Sequence, residues 1–164
     1  MSENKPVTAY KQQLRERIVE TAMKAFSKRG IRAVKMDDIA QELSISKRTL
    51  YELYDNKEEL LCEGVRKYRE LREAEMLDCV TKSDNVIDIL LSVYRSKVEE
   101  FRNTGEQFYT DLVKYPHVMA LLEESRQANH ERLIDFLHRG VSEGYFRADV
   151  DYEIVSQLFD AIGL

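Results

Sequence analysis

The chain has 164 residues, of which 43% are apolar, enough for one compact unit or for two small ones that share a core. Its net charge of −5 argues against a general nucleic-acid coat and against a polybasic membrane binder. No apolar run approaches the ~20 residues that span a bilayer and no leader opens the chain, which predicts a cytoplasmic protein with no membrane partner. Six glycines and two prolines are too few for many tight turns, so an all-α fold is expected.

The first part of the chain predicts a loose arm followed by four helices. The arm covers residues 1–10, and apolar residues then recur at helical spacing over 11–29, 36–43, 47–54 and from 57 toward 80. Gly30 is a C-cap for the first helix. Ser46 and Asn56 are N-caps for the third and fourth.

Four further helices are predicted in the remainder, over 86–103, from 108 to about 115, over 118–140 and from about 151. The last of these carries an unusually wide apolar arc, made of Ile154, Val155, Leu158, Phe159 and Ile162. An arc of this width at a chain end needs more than one packing partner. We therefore expect a dimer interface here and a natural protein that continues beyond Leu164.

The second and third helices are joined by a turn of only three residues, 44–46. This spacing fits a helix-turn-helix, whose second helix enters the major groove of DNA, and it fits an ordinary helical hairpin equally well. The residue types favour DNA. Lys47, Arg48 and Thr49 occupy the exposed first turn of the third helix, where arginine can bind guanine through two parallel hydrogen bonds.

Two further residues suit contacts with phosphate. Tyr51 has a phenolic hydroxyl that can bind phosphate, or a ring that can pack on a thymine methyl group. Lys57 lies at the start of the fourth helix, where free backbone N–H groups and an ammonium together form an anion site.

Several short motifs in this order resemble the TetR family of bacterial transcription regulators. They are Ala25-Phe26, Gly30, Ile39-Ala40, Ser46-Lys47-Arg48-Thr49-Leu50-Tyr51 and Lys57-Glu58-Glu59-Leu60. The resemblance implies a DNA-binding domain at 11–71, joined by the long fourth helix to a helical ligand-binding and dimerisation domain at 72–164. It also implies a homodimer that binds double-stranded operator DNA and is released by a small-molecule effector.

The sequence departs from the family pattern at several positions. Ser44 replaces the usual turn glycine, which predicts a strained backbone angle. Lys35 replaces the usual Ser or Thr cap of the second helix and can reach phosphate instead. Leu53 replaces a phosphate-contacting aromatic or histidine, and Tyr54 replaces a core phenylalanine. Glu52 adds a negative charge near the groove.

Charge is distributed unevenly along the chain. Residues 1–57 carry a net charge of +4 and the remainder carries −9, which is the polarity expected if the first part meets DNA. Between residues 35 and 57, however, four cations face five anions. The DNA footprint therefore depends on where these charges point.

Four aromatic residues and one methionine in the second half are candidates for an effector cavity or for plain core packing: Tyr94, Phe101, Phe108, Tyr109 and Met119. His117, His130 and His138 lack metal-ligand spacing, and no cofactor motif is present. Cys62 and Cys79 are expected to be reduced and inert, with a thiol that senses oxidants as the alternative.

The favoured hypothesis is a homodimeric repressor released by a small molecule. A second is a helical protein-interaction adaptor with a vestigial DNA-binding head, supported by Glu52 and Leu53. A third is an all-helical enzyme, for which Glu123, Glu124 and His130 are the faint candidates. No pair of nucleophile and base appears in the sequence, so we expect no enzyme.

Overall fold

The computed structural model describes residues 9–161, apart from the side chains at positions 127 and 158–161. These residues form eight α-helices: α1 (Ala9–Arg29), α2 (Met36–Glu42), α3 (Lys47–Tyr51), α4 (Lys57–Lys82), α5 (Val86–Asn103), α6 (Glu106–Leu112), α7 (Pro116–Ser142) and α8 (Tyr152–Ala161). The predicted all-α fold is confirmed. Within the described ranges, no helix combines the length and the apolar character needed to cross a bilayer.

Several predicted boundaries need correction, among them the end of α6, which lies at Leu112 instead of about residue 115. Helix α1 begins at Ala9, inside the segment expected to be a loose arm, and residues 1–8 of that arm lie outside the described part. Helix α3 ends at Tyr51 instead of continuing to Tyr54. The chain turns after Glu52 so that the Tyr54 ring enters the core, as expected for a residue in a core phenylalanine position, with the Arg15 guanidinium 4.8 Å from the ring centre.

The chain divides into two compact units. The first contains the described residues up to Tyr68 together with Asn103–Val118, and the second contains Arg69–Arg102 and the described residues from Met119 onward. Helix α6 therefore packs with the N-terminal helices, although the sequence grouped it with the C-terminal domain. The functional division at residue 71 stays a prediction.

The first unit is built around a core of fully buried side chains from α1 to α4 and the loop after α1. Its members include Ile18, Phe26, Ile31, Ile39, Leu50 and Leu60. Burial of each such side chain stabilises the fold by roughly 1.5–3 kcal/mol. This core fixes the short helices α2 and α3 against α1.

Helix α6 caps the end of α1. The Gly105 N–H donates to the Ser27 carbonyl at 2.8 Å, which satisfies one of the free carbonyls of the last turn. Gly30 has φ +84° and donates to the Phe26 carbonyl, as predicted for a C-cap. A β-carbon at Gly30 would lie 2.5 Å from the Gln107 side chain, so this position also needs glycine for space.

The second unit has a smaller core in which Val86, Ile89 and Leu137 are buried. After α7 the chain folds back so that the Phe146 ring covers Gly140, where a β-carbon would meet the ring at 2.1 Å. Helices α7 and α8 are joined by a polar side-chain contact. Ser156 on α8 is fully buried, and its Oγ lies 2.8 Å from His130 Nδ1 on α7.

Four residues, 43–46, separate α2 from α3, one more than predicted, because α2 ends at Glu42. Among them Ser44 has φ +55°, a left-handed backbone that an L-side chain adopts at a cost. This confirms the strain expected from the missing glycine. The Ser44 N–H donates to the Gln41 carbonyl and the Ile45 N–H to the Ala40 carbonyl, both at 3.0 Å. These bonds hold the turn despite the strain.

We predict that Ser44→Gly raises the free energy of unfolding by about 0.5–1 kcal/mol, because glycine adopts this φ without a β-carbon clash. Urea unfolding followed by circular dichroism measures the change. Ser92→Gly is the matched control, since Ser92 is exposed in the middle of α5. It should lower stability by about 0.5 kcal/mol. Equal effects of the two substitutions would show that Ser44 is unstrained.

Candidate nucleic-acid interface

The outer face of α3 is positioned by contacts on its inner face. Leu50 is fully buried, and α3 packs on α2, whose Ile39 and Ala40 are also buried. One buried leucine in a helix of five residues fixes its rotation about its own axis. Lys47, Arg48 and Tyr51 are consequently presented outward, whereas Thr49 is partly buried.

Ser46 caps α3 as predicted. Its Oγ accepts a hydrogen bond from the Thr49 N–H at 3.0 Å and lies 2.8 Å from the Thr49 hydroxyl oxygen. A cap of this kind contributes about 1 kcal/mol. It also means that the Thr49 hydroxyl already has a partner in the free protein.

Lys47 and Arg48 project outward from the first turn of α3, with 67% and 88% of their side chains exposed. Each forms an ion pair with a carboxylate of the same unit: Lys47 Nζ with Asp37, and Arg48 Nε with Glu52 at 2.8 Å. The hydrogen bond to Asp37 raises the pKa of Lys47 above its usual value. Tyr51 is exposed on the same helix.

Lys35 is exposed immediately before α2 and supplies no side-chain cap, as its chemistry requires. The helix start is stabilised instead by Asp38, whose carboxylate accepts the Lys35 N–H at 2.8 Å. The Lys35 ammonium therefore has no capping role.

Lys57 has a different environment from the one expected. Its ammonium donates to the Ile31 carbonyl at 2.8 Å, and burial lowers its pKa. The side chain thus ties the start of α4 to the loop after α1. Asn56 caps α4 as predicted, accepting the Glu59 N–H at 2.9 Å. A phosphate contact by Lys57 stays a prediction, with the Ile31 carbonyl as a competing partner.

Asp111 completes the support of the same loop, and the sequence analysis missed it. Its Oδ2 accepts the Arg32 N–H at 2.8 Å and its Oδ1 accepts the Gln107 amide at 2.9 Å. The residue is fully buried, and the hydrogen bond from Arg32 lowers its pKa. The only sequence signal was an aspartate amid the apolar residues of a helix.

The candidate ligand residues are distributed over both units. Tyr94 and Phe101 lie on α5 and Met119 on α7, all with substantial exposure. Phe108 and Tyr109 lie on α6 in the first unit, with their rings in edge-to-face contact at 5.6 Å. Their role as a ligand pocket stays a prediction.

The candidate dimer residues lie on α8. Ile154 is 56% exposed and Val155 is partly buried. The side chains of Leu158 and Phe159, and Ile162 as a whole, lie outside the described residues. The interface stays a prediction.

Other reactive groups have ordinary surroundings. Cys62 is buried, which raises its pKa and makes it less reactive. Glu123 is paired with Arg126, which lowers its pKa and keeps it ionised. No group of three metal-ligating side chains occurs among the described residues.

The chain is similar to known transcription regulators. Residues 18–63 match the sequence model of the bacterial regulatory proteins of the tetR family. The chain is 29% identical over 147 residues to the HTH-type transcriptional repressor KstR2 of Mycobacterium tuberculosis, covering 86% of this chain and 73% of that one. KstR2 of Rhodococcus jostii is 29% identical over 160 residues, with 90% and 74% covered. The similarity to the tetR family is thus established over residues 18–63, and similarity to HTH-type transcriptional repressors extends over most of the chain.

Solved structures of transcription regulators have a similar fold. A transcriptional regulator from Saccharomonospora viridis in complex with choline has a TM-score of 0.80 at 21% identity, covering 92% of this chain and 81% of that one. KstR2 of M. tuberculosis, described as a ketosteroid transcriptional regulator, has a TM-score of 0.69 at 24% identity, with 90% and 78% covered.

We predict that Asp111→Asn lowers the urea midpoint of unfolding at neutral pH, because an amide accepts the Arg32 N–H less strongly than a carboxylate does. The pKa of Asp111 is lower in the folded than in the unfolded protein. Its stabilisation is therefore complete above its unfolded pKa of about 3.9 and is lost as the pH falls through the folded value. The variant should consequently lose less stability than the wild type between roughly pH 5 and pH 2.

Asp135→Asn is the control, since Asp135 is exposed on α7. It should leave the midpoint at neutral pH nearly unchanged. Identical pH profiles for wild type and Asp111→Asn would show that this carboxylate does not support the loop.

Proposed function

We propose that this chain is a TetR-type DNA-binding transcriptional repressor, which acts in the cytoplasm as a homodimer and leaves its operator when a small molecule binds. The observation that carries the proposal is the first turn of α3. Lys47 and Arg48 are highly exposed there, on a helix fixed by the buried Leu50 and capped by Ser46. Base recognition requires this combination of a rigid helix and outward donors.

In this mechanism α3 of each subunit enters a major groove of operator DNA. Arg48 binds a guanine edge through its guanidinium, Lys47 and Tyr51 contact base edges or phosphate, and Lys35 contacts phosphate. The two α3 helices of a dimer then lie about one helical turn of DNA apart, ~34–36 Å. With about four to six phosphate contacts per subunit, the affinity for DNA falls steeply as the salt concentration rises.

The effector in this mechanism is a small organic molecule. The similar structure that contains choline and the similar ketosteroid regulator support a small organic ligand in this fold. The candidates to contact it are the four aromatic residues Tyr94, Phe101, Phe108 and Tyr109, together with Met119. A ligand that binds the DNA-free state more tightly by a few kcal/mol is sufficient to release the operator.

We predict that Arg48→Ala weakens binding to a selected operator by about 1–3 kcal/mol, the value of one good base contact, and that Lys47→Ala weakens it less. The operator is obtained by selection from a random duplex library with the wild-type protein. Fluorescence anisotropy at several salt concentrations measures the affinity.

Arg139→Ala is the matched control. Arg139 forms the same i,i+4 ion pair with Glu143 that Arg48 forms with Glu52, but on α7. It should leave DNA affinity unchanged. If all three variants bind as the wild type does, α3 is not the recognition helix. If the wild type selects no duplex even at low salt, the adaptor hypothesis replaces the repressor.

We predict that Ile154→Glu raises the monomer fraction in sedimentation velocity, because a charge in an apolar interface loses its hydration without gaining a partner. Gln157→Glu is the control. It adds the same charge to an exposed position of α8. A dimer that resists Ile154→Glu would place the subunit contact elsewhere.

A further inference from the structure

In the free protein, two carboxylates form ion pairs with Lys47 and Arg48, the two cations proposed to recognise DNA. Asp37, in the first turn of α2, pairs with Lys47, and Glu52, just after α3, pairs with Arg48. The two pairs share no residue. The Asp37–Lys47 pair joins α2 to α3 across the turn, and the Arg48–Glu52 pair joins two residues four positions apart. Every cation in the first turn of α3 therefore has a carboxylate partner.

Exposed ion pairs of this kind contribute little to folding, typically 0.2–1 kcal/mol. Their effect on a polyanion is different. A phosphate that approaches Lys47 or Arg48 also approaches a carboxylate, and it must compete with that carboxylate for the same donors. The attraction of Lys47 and Arg48 to the DNA backbone is therefore weakened, most noticeably at sequences where these side chains can bind only phosphate.

The geometry of Arg48 distinguishes phosphate from guanine. Glu52 accepts from Nε, and among the described residues the two terminal nitrogens of Arg48 have no hydrogen-bond partner. Those two nitrogens form the fork that can bind guanine O6 and N7 together. Glu52 thus leaves the base-binding end of the guanidinium available and fixes the plane in which it lies.

On the basis of the proposed function, we infer that Asp37 and Glu52 are specificity-determining residues of this repressor. By holding Lys47 and Arg48 in ion pairs on the DNA-facing side of α2 and α3, they lower affinity for non-operator DNA more than affinity for the operator. At the operator, hydrogen bonds to matching base edges compensate for the competition by the carboxylates. Other DNA offers no matching edges, so the competition lowers its affinity uncompensated. This is selection by a built-in competitor.

The test compares two duplexes of equal length, the selected operator and a scrambled sequence of the same composition, by anisotropy across a salt series. Asp37→Asn and Glu52→Gln should each tighten binding to the scrambled duplex about fivefold at low salt. This factor corresponds to the interaction free energy of two unit charges about 4 Å apart in water. For Asp37→Asn, the affinity for the operator should change by less than about twofold. For Glu52→Gln it should change as little or fall, because the Arg48 guanidinium is no longer held in one plane. The ratio of the two affinities should therefore fall for both variants.

Glu42→Gln is the matched control, because Glu42 is an exposed carboxylate of the same unit that forms no ion pair with Lys47 or Arg48. It removes the same charge and should tighten binding to both duplexes equally. If Asp37→Asn and Glu52→Gln behave as Glu42→Gln does, the effect is net charge alone and the inference is wrong.

A double-mutant cycle separates pairing from folding defects. In a Lys47→Ala background, Asp37→Asn should lose its effect on the specificity ratio, while Glu52→Gln should keep its effect. Persistence of the Asp37→Asn effect without Lys47 would overturn the inference for that pair. A wild type that binds neither duplex would overturn the proposed function itself, a result distinguishable from wild-type binding with unchanged ratios.

Discussion

Helix α3 has five residues, and a helix of that length has no stability of its own. It exists because Leu50 is buried, because Ser46 caps its first turn and because the turn before it is closed by backbone hydrogen bonds. All the proposed base contacts project from this one turn and a half of helix. The precision of the interface is therefore a property of the surrounding core.

The same dependence extends to the loop between α1 and α2. Lys57 binds one of its carbonyls and Asp111 binds one of its N–H groups, so a charged side chain from α4 and another from α6 hold the loop from two sides. Breaking one such bond leaves a poorly hydrated charge behind, which costs more than the bond itself is worth. Helix α6 is thus part of the support of the first unit.

The short-range features of this structure were predictable, and the long-range ones were not. Gly30, Ser46 and Asn56 act within four residues of their partners, so spacing and residue type were enough to assign them as caps. The two loop contacts join residues 26 and 79 positions apart, and no local pattern encodes them. The end of α3 was misplaced for the same reason: burial of the Tyr54 ring, a tertiary effect, overrides a helical pattern.

The ion pairs of Lys47 and Arg48 restrict the side chains that are proposed to bind DNA. Lysine and arginine each carry about 2 kcal/mol of side-chain rotamer entropy, part of which is lost when they bind a base. A carboxylate partner restricts these side chains before DNA arrives, so less freedom remains to be lost at the operator. On DNA without the right bases the same restriction brings no gain, because a phosphate does not require a fixed guanidinium plane. A nearly neutral face with ordered cations therefore favours discrimination between sequences over tight binding to any of them.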